Sequence, residues 1–163
     1  DNGPYDSGRA RASIPGIGKD SLVVTIKETG VKETVYTYGE YMRRFIRDVK
    51  KRGAHPILMS LTPRNAWEDA DSTIVTRVNE TFGLWAKQVA KKEHVPFIDL
   101  NEITACKFET FGKEKVKYID LFTHFVDDNG QMKPEYTNDG LHLLGKGYML
   151  WKEIITPYLK KIK

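Results

Sequence analysis

The segment Thr137-Asn138-Asp139-Gly140-Leu141-His142 sets a carboxylate three residues before an imidazole, ahead of the last amphipathic stretch of the chain. A glycine between them permits a tight turn that can aim Asp139 at Nδ1 of His142. An aspartate held there fixes the tautomer and stabilises the imidazolium, leaving Nε2 to act as a general base. Base catalysis of that kind is worth ~10²–10⁴ in rate. The same spacing suits a helix-capping Asp beside a packed histidine, and the residues alone leave both readings open. The other histidines offer less. His55 and His94 each precede an apolar run among polar neighbours, and His124 has no acidic partner at fixed spacing.

Other chemistries fail one after another. There is no P-loop, no H-E-x-x-H, no G-x-S-x-G elbow and no G-x-G-x-x-G. Gly16-x-Gly18 has no strand before it, and Asp127-Asp128-Asn129-Gly130 lacks the alternating acidic positions and distal Glu of a calcium loop, so it reads as a tight turn. Cys106 is the one cysteine, which excludes an intrachain disulfide and a Cys-x-x-Cys site. No metal and no cofactor is expected.

The elements that must position Asp139 and His142 belong to a chain of 163 residues and 18.7 kDa, the size of one compact domain. Apolar residues are 40% and charged residues 29%, which excludes collagen-like, coiled-coil and disordered classes. No run approaches the ~20 apolar residues that span a bilayer, so no membrane partner is expected. The net charge of +4 is spread over helix-like faces, Arg43, Arg44, Arg47, Lys50 and Lys51 in one and Lys87, Lys91 and Lys92 in another. These read as solvated faces, and no nucleic-acid motif accompanies them. The chain opens on Asp1 rather than Met, with no signal segment after it, and is expected to be processed or cut from something longer.

Residues 1–20 are rich in Gly, Pro, Asp and Ser and predict an extended loop. Residues 21–26 and 33–38 alternate and are β-branched, as a hairpin would be. Helical spacing over 39–52, with Gly53 as C-cap, precedes the continuous apolar run PILMSL at 56–61, a strand buried on both faces. The cycle repeats with a helix from about 72 to 92, capped by Ser72 or Thr73, and a second run, VPFIDL, at 95–100. A short helix over 101–111, a strand near 118–121 and a last helix over 145–161 follow, the last with Tyr148, Trp151, Ile155 and Leu159 on its apolar side. Alternating strands and helices predict an α/β fold with a parallel sheet, whose ligand site lies beyond the C-terminal ends of the strands. The loops of interest therefore begin at Leu61, at Leu100 and after 118–121.

Two stretches resemble known hydrolases. The closing block YTNDGLHLLGKGYMLWKEIITPYL is similar to the last block of the SGNH (GDSL-type) hydrolases, serine esterases on a three-layer α/β/α, flavodoxin-like sandwich. The resemblance implies that Asp139 and His142 are two members of the triad. Residues 1 to about 116 resemble the rhamnogalacturonan acetylesterases through GPYDSGRARASIPGIG, ETVYTYGEYMRRFIRDVKKRGAHPILMSLTPRNAW and WAKQVAKKEHVPFIDLN. It further implies that Asp1 ends the Gly-His-Asn-Asp block whose Asn donates to the oxyanion.

The departures carry equal information. The superfamily's Gly-Asp-Ser nucleophile triplet does not occur, and Asp6-Ser7-Gly8 has no strand before it. Residues matching the first three strands are absent, and FIDL at 97–100 recurs as YIDL at 118–121, which fits a junction of two related modules near 113–118, a fragment or an engineered chain alike; one partial domain spanning 1–163 is expected. The expected function is carbohydrate O-acetylesterase, with Arg64 and Trp67 facing an acetylated polysaccharide or oligosaccharide and the missing N-terminal part of the domain as a possible partner. A surface Arg and a core Trp are the plain alternative for that pair. The alternative for the whole is a non-catalytic polysaccharide-binding or structural module. Secretion or a periplasmic location is implied by resemblance alone.

Overall fold

The computed structural model describes residues 13–26, 29–64, 66–71, 73–113, 129 and 146–162. Asp139, His142, His124 and the expected strand at 118–121 lie outside the described residues. The chain divides into two compact units, one of Asp1–Leu61 with Asn79–Ile98 and one of Thr62–Val78 with Asp99–Lys163.

In the first unit, β1 (Ser21–Thr25) and β2 (Lys32–Tyr36) form the expected antiparallel hairpin, in register from Ser21 opposite Tyr36 to Thr25 opposite Lys32. Its turn is closed by Ile26 N–H donating to Val31 O at 2.8 Å and by Gly30, whose φ of +67° suits glycine. Thr37 then starts α1 (Tyr38–Lys51): its Oγ1 accepts from Glu40 N–H at 3.0 Å and donates to Gly18 O at 2.5 Å. At the other end, Gly53 at φ +74° donates to Lys50 O, and Ala54 N–H donates to Val49 O. These two bonds are a Schellman motif, which confirms Gly53 as the stop signal.

Residues 13–20 are an extended segment, as expected, and α1 holds them by its first two turns. Ile14 exchanges backbone hydrogen bonds with Tyr36 and Tyr38, both 2.9 Å, and Gly39 N–H donates to Gly16 O. Any side chain at 39 would meet Ile17 Cα at 2.5 Å, so only glycine lets the segment lie this close. Arg43 departs from the solvated face expected for it. It is 8% exposed and donates to Ile17 O at 3.0 Å and Gly18 O at 2.6 Å, while its Nε donates to Glu40 at 2.9 Å. A guanidinium can be buried here because five N–H donors find three oxygens.

The expected parallel pairing is present. β3 (Leu58–Met59) lies beside β4 (Phe97–Ile98), joined by Leu58 N–H to Pro96 O and Ser60 N–H to Ile98 O. The connection between them ends in α2 (Leu84–Lys92), which packs on both strands through buried Ala86, Val89 and Ala90. The helix expected from residue 72 starts later, with a π-helical turn at Asn79–Gly83. Thr73, Ile74, Val75, Thr76 and Val78 are β-branched, and this stretch is extended instead. α2 ends in a second Schellman motif, Val95 N–H donating to Ala90 O, with His94 rather than glycine in the left-handed position at φ +51°. His94 is therefore a cap residue on the surface.

The second unit contains α3 (Leu100–Phe111) and α4 (Lys146–Leu159). Asp99 caps α3 by accepting from Glu102 N–H at 3.2 Å, and Gly112 at φ +78° ends it. Leu100, Ala105 and Val75 are buried, and α4 buries Ile154 while Leu159, expected inside, is exposed.

Two outcomes follow from the caps and the clamp. His94→Gly relieves a left-handed side chain and is expected to stabilise by about 1 kcal/mol, raising Tm by roughly 2–4 °C in thermal unfolding, whereas Gly53→Ala lowers Tm. For Glu40, partial burial favours protonation, but hydrogen bonds from Arg43, Arg47 and Arg44 outweigh it and bring the pKa from 4.5 to about 2. The unfolded chain then binds the proton first, so Glu40 stabilises the fold fully above about pH 4.5 and loses that effect as pH falls towards 2. Thermal melts across this window should decline more steeply for the native protein than for Glu40→Gln.

Candidate active site

Beyond Met59 and Ile98, the C-terminal ends of β3 and β4, the chain runs into residues 62–78 and into α3. These are two of the three loops expected to border a ligand site. Residues 66–76 fold back on themselves. Thr76 N–H donates to Ala66 O at 2.8 Å, Glu68 N–H donates to Ile74 O at 3.0 Å, and Trp67 pairs with Val75 between them. At the tip, Asp69 accepts from Asp71 N–H, and Lys113 Nζ donates to the carbonyls of Asp69 and Ala70. Trp67 is half-buried on this narrow hairpin, while Arg64 is exposed and has no ion pair among the described residues. An exposed guanidinium with its donors in water and an indole on a braced hairpin can meet a carboxylate and a sugar face.

What braces the hairpin is a set of residues that sequence reasoning missed. Arg77 reaches α3 and donates to Glu102 through Nε and Nη2, at 3.2 and 3.1 Å, and to Glu109 through Nη1 and Nη2. Its Nη1 also donates to Val75 O at 2.8 Å, and Glu109 accepts from Val75 N–H at 3.0 Å. One residue on, Asn101 Oδ1 accepts from Val78 N–H at 3.2 Å. Glu102 and Glu109 are both held below the ordinary carboxylate range by the Arg77 guanidinium, and Arg77 is raised in turn. A signal existed: Glu102, Cys106 and Glu109 share one face of a predicted helix, and acidic residues so placed need a cation from elsewhere.

Cys106, the one nucleophilic thiol, is drawn into the same cluster. Its Sγ donates to Glu102 at 3.2 Å, and that hydrogen bond to a carboxylate, with burial second, raises the thiol pKa. A hydrogen bond to a carboxylate disfavours the thiolate, the nucleophilic form of cysteine. Asp139 and His142 fall outside the described residues. Among the described residues no group of three His, Cys, Asp or Glu is arranged to hold a metal ion.

The profile of the GDSL-like Lipase/Acylhydrolase family matches residues 18–155. The chain belongs to that family. GDSL-like relatives include a probable rhamnogalacturonan acetylesterase, YesY, of Bacillus subtilis (strain 168), 27% identical over 130 residues that make up 80% of this chain and 57% of the relative. The rhamnogalacturonan acetylesterase of Emericella nidulans is 29% identical over 126 residues, 76% of this chain and 49% of its own. Protein YXIM of Bacillus subtilis, known from its crystal structure, superposes with a TM-score of 0.56 at 25% identity, over 75% of this chain and 30% of that one. The α/β fold with a parallel sheet is thus shared with a solved structure. This GDSL-like chain spans about half the length of the curated relatives it matches.

Replacing Arg77 by Met leaves Glu102 and Glu109 without their cation and is expected to cost about 1–2 kcal/mol locally. Hydrogen exchange should show it: the amides of Val75, Thr76 and Val78 exchange roughly tenfold faster or more, while Leu58 in the other unit keeps its protection.

Proposed function

We propose that this chain forms part of a carbohydrate O-acetylesterase that removes acetyl groups from rhamnogalacturonan-type pectic polysaccharide. The observation that carries the reading is its 25–29% identity to rhamnogalacturonan acetylesterases over 76–80% of its length. In this reading a serine Oγ attacks the acetyl carbonyl carbon while Nε2 of His142 takes its proton. Asp139 accepts from Nδ1–H and stabilises the imidazolium. The proton then passes to the departing sugar oxygen, leaving acetyl-serine. Water, deprotonated by His142, cleaves that ester and releases acetate. Arg64 and Trp67 are the sugar-facing residues, the guanidinium for a uronate carboxylate and the indole for a ring face. The reading carries secretion or periplasmic location with it, because polymeric pectin does not cross a cell membrane.

A second reading is favoured by one specific fact, that no Gly-Asp-Ser triplet occurs in the 163 residues. In it the chain binds polysaccharide and catalyses nothing. Acetate release from acetylated rhamnogalacturonan separates the two, measured for the chain alone and together with the part of the Bacillus subtilis relative that it does not span. The esterase reading expects the chain alone to be inactive and the combination to release acetate, with His142→Ala slowing it by ~10²–10⁴. Activity that survives His142→Ala refutes the assignment. Polysaccharide binding that Asp139→Ala leaves unchanged, with no acetate released by the combination, establishes the binding module instead.

A further inference from the structure

α1 concentrates the charge of the molecule. Its 14 residues hold five basic side chains, Arg43, Arg44, Arg47, Lys50 and Lys51, against the two carboxylates Glu40 and Asp48. Most of the chain's net charge of +4 therefore lies on one helix. The arginines are not loosely solvated. All three converge on Glu40, Arg43 from the buried side at 2.9 Å, Arg44 through Nε at 3.4 Å and Arg47 through Nη2 at 3.1 Å. Arg43 is spent on the carbonyls of Ile17 and Gly18. Arg44 is also fixed from below, its Cζ 3.6 Å above the centroid of the Tyr36 ring, and Tyr36 is itself braced edge-on by Tyr41.

The result is a carboxylate surrounded by a surplus of cations. Glu40 can neutralise one of three guanidinium groups, and the side chains of Arg44 and Arg47 remain 42% and 58% exposed, each with unused N–H donors on the solvent side. Their orientation is set before any ligand arrives, which lowers the entropic cost of binding. Lys50 is less available, because its Nζ donates to Glu93 O, and Asp48 opposes an anion from the same exposed face.

We propose that Arg44 and Arg47, held in place by Glu40 and Tyr36, form an accessory surface that binds the uronate carboxylates of an acidic polysaccharide. This deepens the pectic-esterase reading and rests on it for the choice of polymer. Its chemistry is the forked pairing of guanidinium with carboxylate, which lysine cannot reproduce.

Calorimetric titration of the 163-residue protein with a galacturonate oligomer at low salt tests it, with a neutral galactose oligomer and a duplex DNA as comparison probes. The galacturonate oligomer is expected to bind and the neutral one not. Arg44→Gln with Arg47→Gln should weaken binding about tenfold or more, and Asp48→Asn should tighten it. The charge-preserving pair Arg44→Lys with Arg47→Lys should also weaken it, with Tm near that of the native protein. Native-like affinity in either double variant overturns the proposal, as does DNA that competes at equal affinity, which would make the surface merely cationic. Acetate release is read separately. Its failure removes the esterase reading and leaves galacturonate binding standing, while failure of the titration leaves the esterase reading intact.

Discussion

A guanidinium withdrawn from water must meet oxygen atoms on every side, and Arg43 imposes that condition on its unit of the structure. Its carbonyl partners, Ile17 and Gly18, belong to a segment with no regular structure of its own, so the arginine supplies what a ladder would supply elsewhere. Thr37 serves two ends at once, closing the first turn of α1 and tying down Gly18. The bare Cα of Gly39 completes the fit by letting Ile17 approach the helix. Remove the arginine and three hydrogen bonds go together, to Ile17 O, Gly18 O and Glu40, although Thr37 still donates to Gly18 O and Arg44 and Arg47 still meet Glu40.

The other unit uses the same device for a different end. Arg77 joins the Trp67 hairpin to α3 by pairing with both Glu102 and Glu109, and Glu109 accepts from the hairpin's own backbone at Val75. Binding residues on loops are useful only when the loop is held still. Here the rigidity is electrostatic, supplied by charges on a helix whose apolar residues face elsewhere. Trp67, bridged to Val75, thus owes its placement to charged residues on α3.

Much of the frame was legible in the sequence because it follows local rules. The β-branched alternation of 21–26 and 33–38 predicts the hairpin found at 21–25 and 32–36, Gly53 marks the end of α1, and two apolar runs predict the parallel pair. Other features were hidden because they depend on partners distant in the chain. Arg43 looked like one basic residue among five on a helix face, and nothing local says that its partners lie at 17 and 18. α2 starts later than the helical spacing of Ile74 and Val78 predicts, because Val75 and Val78 N–H donate to the side chains of Glu109 and Asn101 and Thr76 N–H donates to Ala66 O. Of the candidate site, Trp67 and Arg64 lie in the loop that follows β3, and the cluster of Arg77, Glu102 and Glu109 that braces the Trp67 hairpin was not foreseen.

The brevity of the β3–β4 ladder has a kinetic consequence. Its strands are two residues each and lie ~40 residues apart in sequence, so pairing them closes a long loop for very few hydrogen bonds. That step is unfavourable until α2 exists to cover the pair, whereas the β1–β2 hairpin and α1 need only near neighbours. Folding should therefore begin at the hairpin and α1, with the sheet joined last. The apolar run PILMSL stays exposed through the early stages, the interval in which the chain is most open to self-association.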